Sequence, residues 1–131
     1  VLYKMTKIRQ EVLRAVTLSE KPATAEDIYT AMQGHANLAS IYRALNWLED
    51  MGYIKSVSFG TGPRYFFSKE KHYHFLFCKV CGRVQVITEC PLNGYVHDFE
   101  ERYGFTVSDH VLYFRGVCEE CKKHGKRRDS T

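Results

Sequence analysis

At 131 residues, with 44% hydrophobic and 14% aromatic content, the chain is sized for one ordinary domain or two small ones. Small domains bury proportionally less surface, so additional staples are expected. No apolar run approaches the roughly 18 residues of a membrane-spanning helix, and VLYKMTKIRQ lacks the apolar core of a secretory signal, so a cytoplasmic protein with no membrane partner is expected. The formal net charge of +4 does not by itself argue for nucleic acid.

From Thr6 to Ser19, Ile8, Val12, Leu13 and Val16 share one stripe while Lys7, Arg9, Glu11 and Arg14 lie elsewhere, the period of an amphipathic helix. After Lys21-Pro22, Thr24 predicts an N-cap with Asp27 closing a capping box; Ile28 and Met32 form the apolar stripe of a second helix that Gly34 ends. Asn37 predicts the cap of a third helix running to about Met51, with Ile41, Leu45 and Leu48 inward and Tyr42, Arg43, Asn46 and Glu49 facing away. YIKSVSF and RYFFS, joined by Gly60-Thr61-Gly62-Pro63, predict a β-hairpin. Three short helices and a hairpin describe a winged helix-turn-helix.

From His72 the pattern changes. HFLFC and RVQVIT predict strands, Pro91 to Tyr103 a helix with Leu92, Tyr95, Val96, Phe99 and Tyr103 inward, and FTV and HVLYFRGV further strands. The fold class is therefore α+β: a winged-helix unit over 1–68, a polar hinge over 69–71, a small α/β unit over 72–123, and a basic, apolar-free tail over 124–131 predicted to be disordered.

Five cysteines, an odd count without an export signal, point to thiolates in a reducing compartment. Cys78-Lys79-Val80-Cys81-Gly82 and Cys118-Glu119-Glu120-Cys121 are two CxxC knuckles, each at the mouth of a predicted strand, and Zn²⁺ takes four such ligands in a tetrahedron. With no open coordination position, such a site is structural. Its net −2 would bring +4 to about +2. The competing reading, two redox dithiols, lacks the thioredoxin-like pattern in which a redox CxxC opens a helix. A zinc deaminase would need a Pro before the second pair and an upstream HxE, both missing.

The ordered set SIYRAL, HYHFLFCKVCGRV and GFTVSDHVLYFRGVCEEC resembles the ferric-uptake-regulator family over about Lys4 to Lys123. The resemblance implies a homodimer that binds a palindromic double-stranded DNA operator when a regulatory metal is loaded, repressing metal-uptake or stress genes. It assigns the third helix to the major groove, with Tyr42 and Arg43 off the apolar stripe and Ser40 near the helix start. By the same resemblance Lys4 reaches the minor groove and Arg9 the backbone.

His72 and His74 match two histidines of the family's regulatory site, and alternate residues of a strand leave the same face about 6.5–7 Å apart. The remaining family ligands are replaced: Lys21-Pro22 stands where many members have a histidine, and Phe66 and Val86 where acids are usual. In a second family site Lys71, Tyr73 and Asn93 leave only His110. Glu70, Glu89, Cys90, His97 and His110 are the other candidates. Cys90, before Pro91 at a predicted helix start, should have a lowered pKa and favour soft metals, which tilts the second divalent metal toward Zn²⁺ over Fe²⁺ or Mn²⁺ and the subtype toward a zinc-uptake regulator.

The leading function is a metal-responsive repressor; the alternative is a winged-helix DNA binder with structural zinc only. No nucleophile, base and orienter set supports an enzyme.

Overall fold

The computed structural model describes residues 5–60 and 62–124. Helices α1 (Lys7–Leu18), α2 (Ala25–Met32) and α3 (Leu38–Asp50) precede strands β1 (Ile54–Val57) and β2 (Tyr65–Ser68). Strands β3 (His74–Cys78) and β4 (Val84–Ile87), helix α4 (Tyr95–Tyr103), strand β5 (Tyr113–Gly116) and helix α5 (Glu119–His124) follow. The chain divides into two compact units, Val1–Lys71 and His72–Thr131. No helix among the described residues is long and apolar enough to cross a membrane.

The caps form as their residue types dictate. Thr6 Oγ1 accepts from the Arg9 amide, Asn37 Oδ1 from the Ser40 amide, and Thr24 and Asp27 exchange both bonds of a capping box. α2 ends at Met32, two residues before the predicted glycine: Gln33 caps it in the left-handed conformation, at φ 54°, and Gly34 follows at φ 85°. Val12, Val16, Ile28, Ile41, Leu45 and Leu48 close the core of the three helices, each no more than 2% exposed. The hairpin pairs Ile54 with Ser68 and Val57 with Tyr65, and the segment before α2 joins it through an Ala23–Phe66 bridge. That bridge turns Phe66 into the core at 1% exposure. The segment predicted as a hinge is stapled at its start: Lys71 N donates to Ser68 O at 3.0 Å, and the Ser68 hydroxyl donates to Glu70 at 2.8 Å.

In the second unit the sheet order is β4-β3-β5, with β3–β4 antiparallel and β3–β5 parallel. A parallel neighbour requires a crossover, which here contains α4. Several expectations are corrected. Residues 105–112 have no regular structure: FTV forms no strand, and β5 begins only at Tyr113. Glycine at 104 ends α4 in the left-handed region, and Val107 N is taken by the Glu100 carboxylate at 2.8 Å instead of by a strand partner. α4 starts at Tyr95, not Pro91, because residues 91–94 make a turn. Its stripe is not inward either, since Tyr95, Phe99 and Tyr103 are 58%, 45% and 63% exposed. His124, the first residue of the predicted tail, belongs to α5; the rest of that tail, like Lys4, lies outside the described residues.

Candidate metal centres and nucleic-acid face

Because β3 and β5 run parallel, with Cys78 opposite Gly116, both strands deliver their cysteine knuckles to the same end of the sheet. An antiparallel pair would have sent them to opposite ends. Lys79 N donates to Gly116 O at 2.9 Å and fastens the two knuckles together. The four sulfurs of Cys78, Cys81, Cys118 and Cys121 lie within 4.8 Å of one another, with Cys81 and Cys118 3.8 Å apart. A tetrahedron with Zn–S of about 2.3 Å has an edge of about 3.8 Å, so the spacing fits zinc.

The electrostatics favour the same ion. Burial alone would push the Cys78 thiol up, but amide N–H groups of Cys118 at 3.3 Å, Cys81 at 3.5 Å and Val80 bring it down to about 6. Cys121 is raised to about 12, by burial first and then by the neighbouring sulfurs. Four thiolates cannot coexist at this spacing without a cation, a charge that Zn²⁺ would supply.

A second group gathers His72, His74, Cys90 and His110, with all donor atoms within 4.8 Å. His74, 1% exposed, is its anchor. Its Nδ1 lies 3.2 Å from Leu112 O, and a carbonyl only accepts, so the proton sits on Nδ1 and Nε2 of the neutral ring presents a lone pair. That lone pair faces His72 Nε2 at 3.1 Å, Cys90 Sγ at 3.3 Å and His110 Nε2 at 3.3 Å, while Cys90 Sγ and His110 Nε2 are 3.5 Å apart. Tetrahedral zinc with Zn–N of about 2.0–2.1 Å and Zn–S of about 2.3 Å gives N···N edges of about 3.3–3.4 Å and N···S edges of about 3.6 Å. The donor set and its spacing fit such an ion, and the Leu112 carbonyl fixes the ligand tautomer as outer-shell partners do.

Three local expectations change here. His72 stands just ahead of β3, and His110 sits in the irregular segment before β5, so neither is a strand residue. Cys90 lies five residues before α4, which removes the helix-terminus argument for its thiol; its role comes from the histidines around it. Glu70, Glu89 and His97 do not join the group, and His97 instead pairs with Glu101 on exposed α4 at 3.2 Å. The Leu112 carbonyl was not legible beforehand, because backbone groups carry no sequence signal.

In the first unit, Tyr42 and Arg43 are exposed on α3. The Tyr42 hydroxyl donates to Glu26 at 3.4 Å and Arg43 donates to the Ser40 hydroxyl at 3.1 Å. The Ser40 amide is already committed to Asn37, so Ser40 offers its hydroxyl rather than a spare backbone donor. The Arg9 guanidinium lies 4.0 Å from the Trp47 ring centroid. On the other flank of α3, Arg64 bonds Asn46 at 3.0 Å and pairs with Glu49, tying the hairpin to the helix.

The sequence of residues 2–115 matches the model of the ferric uptake regulator family. The chain belongs to that family. The ferric uptake regulation protein of Bacillus subtilis is 33% identical over 127 residues, covering 91% of this chain and 85% of the relative. The peroxide-responsive repressor PerR of Staphylococcus epidermidis is 29% identical, covering 93% and 83%. Among solved structures, the Vibrio cholerae ferric uptake regulator, described through rearrangement of its DNA-binding domains, superposes with a TM-score of 0.70 at 27% identity, covering 88% and 92%. Members of this family are transcription regulators, not enzymes.

Proposed function

We propose that the protein is a metal-responsive DNA-binding repressor that acts as a homodimer on a palindromic operator, with zinc at Cys78, Cys81, Cys118 and Cys121 as a structural ion. The second group, His72, His74, Cys90 and His110, is the regulatory site, and its convergent lone pairs around His74 carry this reading. Three imidazoles and a thiolate in a tetrahedral spacing favour Zn²⁺ over Fe²⁺ or Mn²⁺, which prefer more oxygen donors.

The N-terminal unit reads DNA through α3, with Ser40, Tyr42 and Arg43 at the major groove, Arg9 on the backbone and Lys4 in the minor groove. The open apolar stripe of Tyr95, Phe99 and Tyr103, continued by exposed Phe105, supports a second copy as the partner of the C-terminal unit. The relatives' names, a ferric uptake regulator and a peroxide-responsive repressor, agree with this class. Reduced cysteines fit the cytoplasm.

A bound metal would hold residues 72, 74, 90 and 110 in one arrangement, and a state favoured by the ion is one whose DNA affinity the ion can change. Elemental analysis of protein purified with Zn²⁺ tests the site: two zinc ions per chain are expected, falling to one in Cys90→Ser. A single zinc in both proteins would leave a winged-helix binder with structural zinc only.

A further inference from the structure

Asn46 is exposed on α3, one turn beyond Tyr42 at i+4 and Arg43 at i+3, on the side away from buried Ile41, Leu45 and Leu48. It is therefore a further polar side chain on the helix face that carries Tyr42 and Arg43. Its amide is not free to turn. Arg64, in the segment leading into β2, donates to Asn46 Oδ1 at 3.0 Å. A guanidinium only donates, so the amide must give Arg64 its oxygen and turn its nitrogen away. Nδ2 has no partner among the described residues.

Arg64 is itself pinned. One arm of its fork takes Asn46, and the other pairs with the Glu49 carboxylate, whose second oxygen accepts from the Ser56 hydroxyl of β1 at 2.6 Å. Its Cζ lies 4.8 Å from the centroid of the Phe66 ring of β2. The hairpin thus holds the guanidinium, and the guanidinium holds the amide.

This fixes the polarity that position 46 shows to a base pair. An unrestrained asparagine matches adenine best, its oxygen accepting from N6 and its nitrogen donating to N7. Here the guanidinium competes with the adenine amino group for the same oxygen, and the outward group is a donor. Guanine is the base whose major-groove edge offers two acceptors, O6 and N7, and no donor. Cytosine would set its own amino group against the amide nitrogen.

We propose that Asn46 is a base-reading residue that selects guanine at one position of each operator half-site, and that Arg64 is the positioning residue that gives it this preference. The proposal rests on the DNA-binding reading of the N-terminal unit and deepens it by naming a specificity contact and its cause.

The test is selection of binding sites from random duplexes by the zinc-loaded full chain and its variants, followed by affinities for duplexes changed at single positions. Asn46→Ala should relax the preference at one position per half-site by about 5–10-fold, the lower end of what a base contact supplies, and leave the others. Arg64→Met, which keeps an apolar stem over Phe66 but removes the donors, should turn that position from guanine to adenine. Asn46→Asp, which keeps a partner for Arg64 and presents an acceptor, should turn it to cytosine and carries the test should Arg64→Met loosen the hairpin.

A purely structural bond between hairpin and helix would instead lower affinity for every sequence alike. Unchanged preference at every position in Asn46→Ala, with DNA binding retained, would overturn base reading by Asn46. Guanine retained in a folded Arg64→Met would overturn the role of Arg64. A wild-type protein that selects no sequence would overturn the DNA-binding reading and this contact with it.

Discussion

Individual side chains decide which metal each centre takes. Around His74 Nε2, two further imidazole nitrogens and one sulfur converge at 3.1–3.3 Å. Replacing Cys90 by Ser should abolish the near-ultraviolet thiolate-to-metal band that Co²⁺ gives at this centre, and weaken binding by more than the roughly 10–100-fold typical of losing an outer-shell partner. A Co²⁺ titration of protein with its four-cysteine site already filled by zinc checks this. At the other centre the pH dependence has a definite sign. Cys121, raised to about 12, holds its proton at neutral pH until zinc displaces it, and Cys78, lowered to about 6, protonates only in mild acid. Zinc uptake therefore releases protons, and competition with a chelator should show affinity falling as pH drops from about 8 toward about 6 and below. The cysteine set was legible from spacing because zinc knuckles are local. The His72, His74, Cys90 and His110 set was legible only as candidates, since the 36-residue span between His74 and His110 is closed by tertiary structure.

Among the elements, the helices of the first unit follow their sequence closely, because caps and the 3.6-residue stripe are short-range devices. Thr24→Ala removes one half of the capping box and should cost about 1 kcal/mol in urea unfolding of the N-terminal unit. Phe66→Ala empties a site that is 1% exposed and should cost about 3–5 kcal/mol in the same measurement. The bridge to Ala23 aims position 66 into the core, which suits a phenyl ring and would strand a carboxylate. Residues 105–112 depart from the predicted strands for a related reason. Alternating apolar residues there suggested strands, but Phe105 and Val111 are exposed and His110 is held at the metal-binding group, so the alternation serves a site and an outer face. The exposure of Tyr95, Phe99 and Tyr103 likewise reverses the inward reading of α4, whose apolar stripe is open in the single chain.

At the scale of the molecule, both candidate metal-binding groups lie in the C-terminal unit, while α1–α3 and the β1–β2 hairpin carry the proposed nucleic-acid face. Metal affinity should accordingly survive substitutions on α3 that abolish DNA binding, while linkage requires that DNA and metal strengthen one another when both bind. Structural zinc sites typically contribute roughly 10–16 kcal/mol, so with zinc in the four-cysteine site as proposed, a strong chelator should unfold the C-terminal unit and leave the helical signal of the N-terminal one. Limited proteolysis with and without chelator would report the difference. The account's central claim is that the histidine–cysteine centre governs DNA affinity. The most direct test is the affinity of wild-type protein and His72→Ala for an operator selected from random duplexes, measured with the four-cysteine site filled and with or without added Zn²⁺. The account predicts a gain on adding zinc within the about 5–150-fold range of allosteric couplings for wild type, lost in His72→Ala. Equal affinities with and without zinc in the wild-type protein would contradict it.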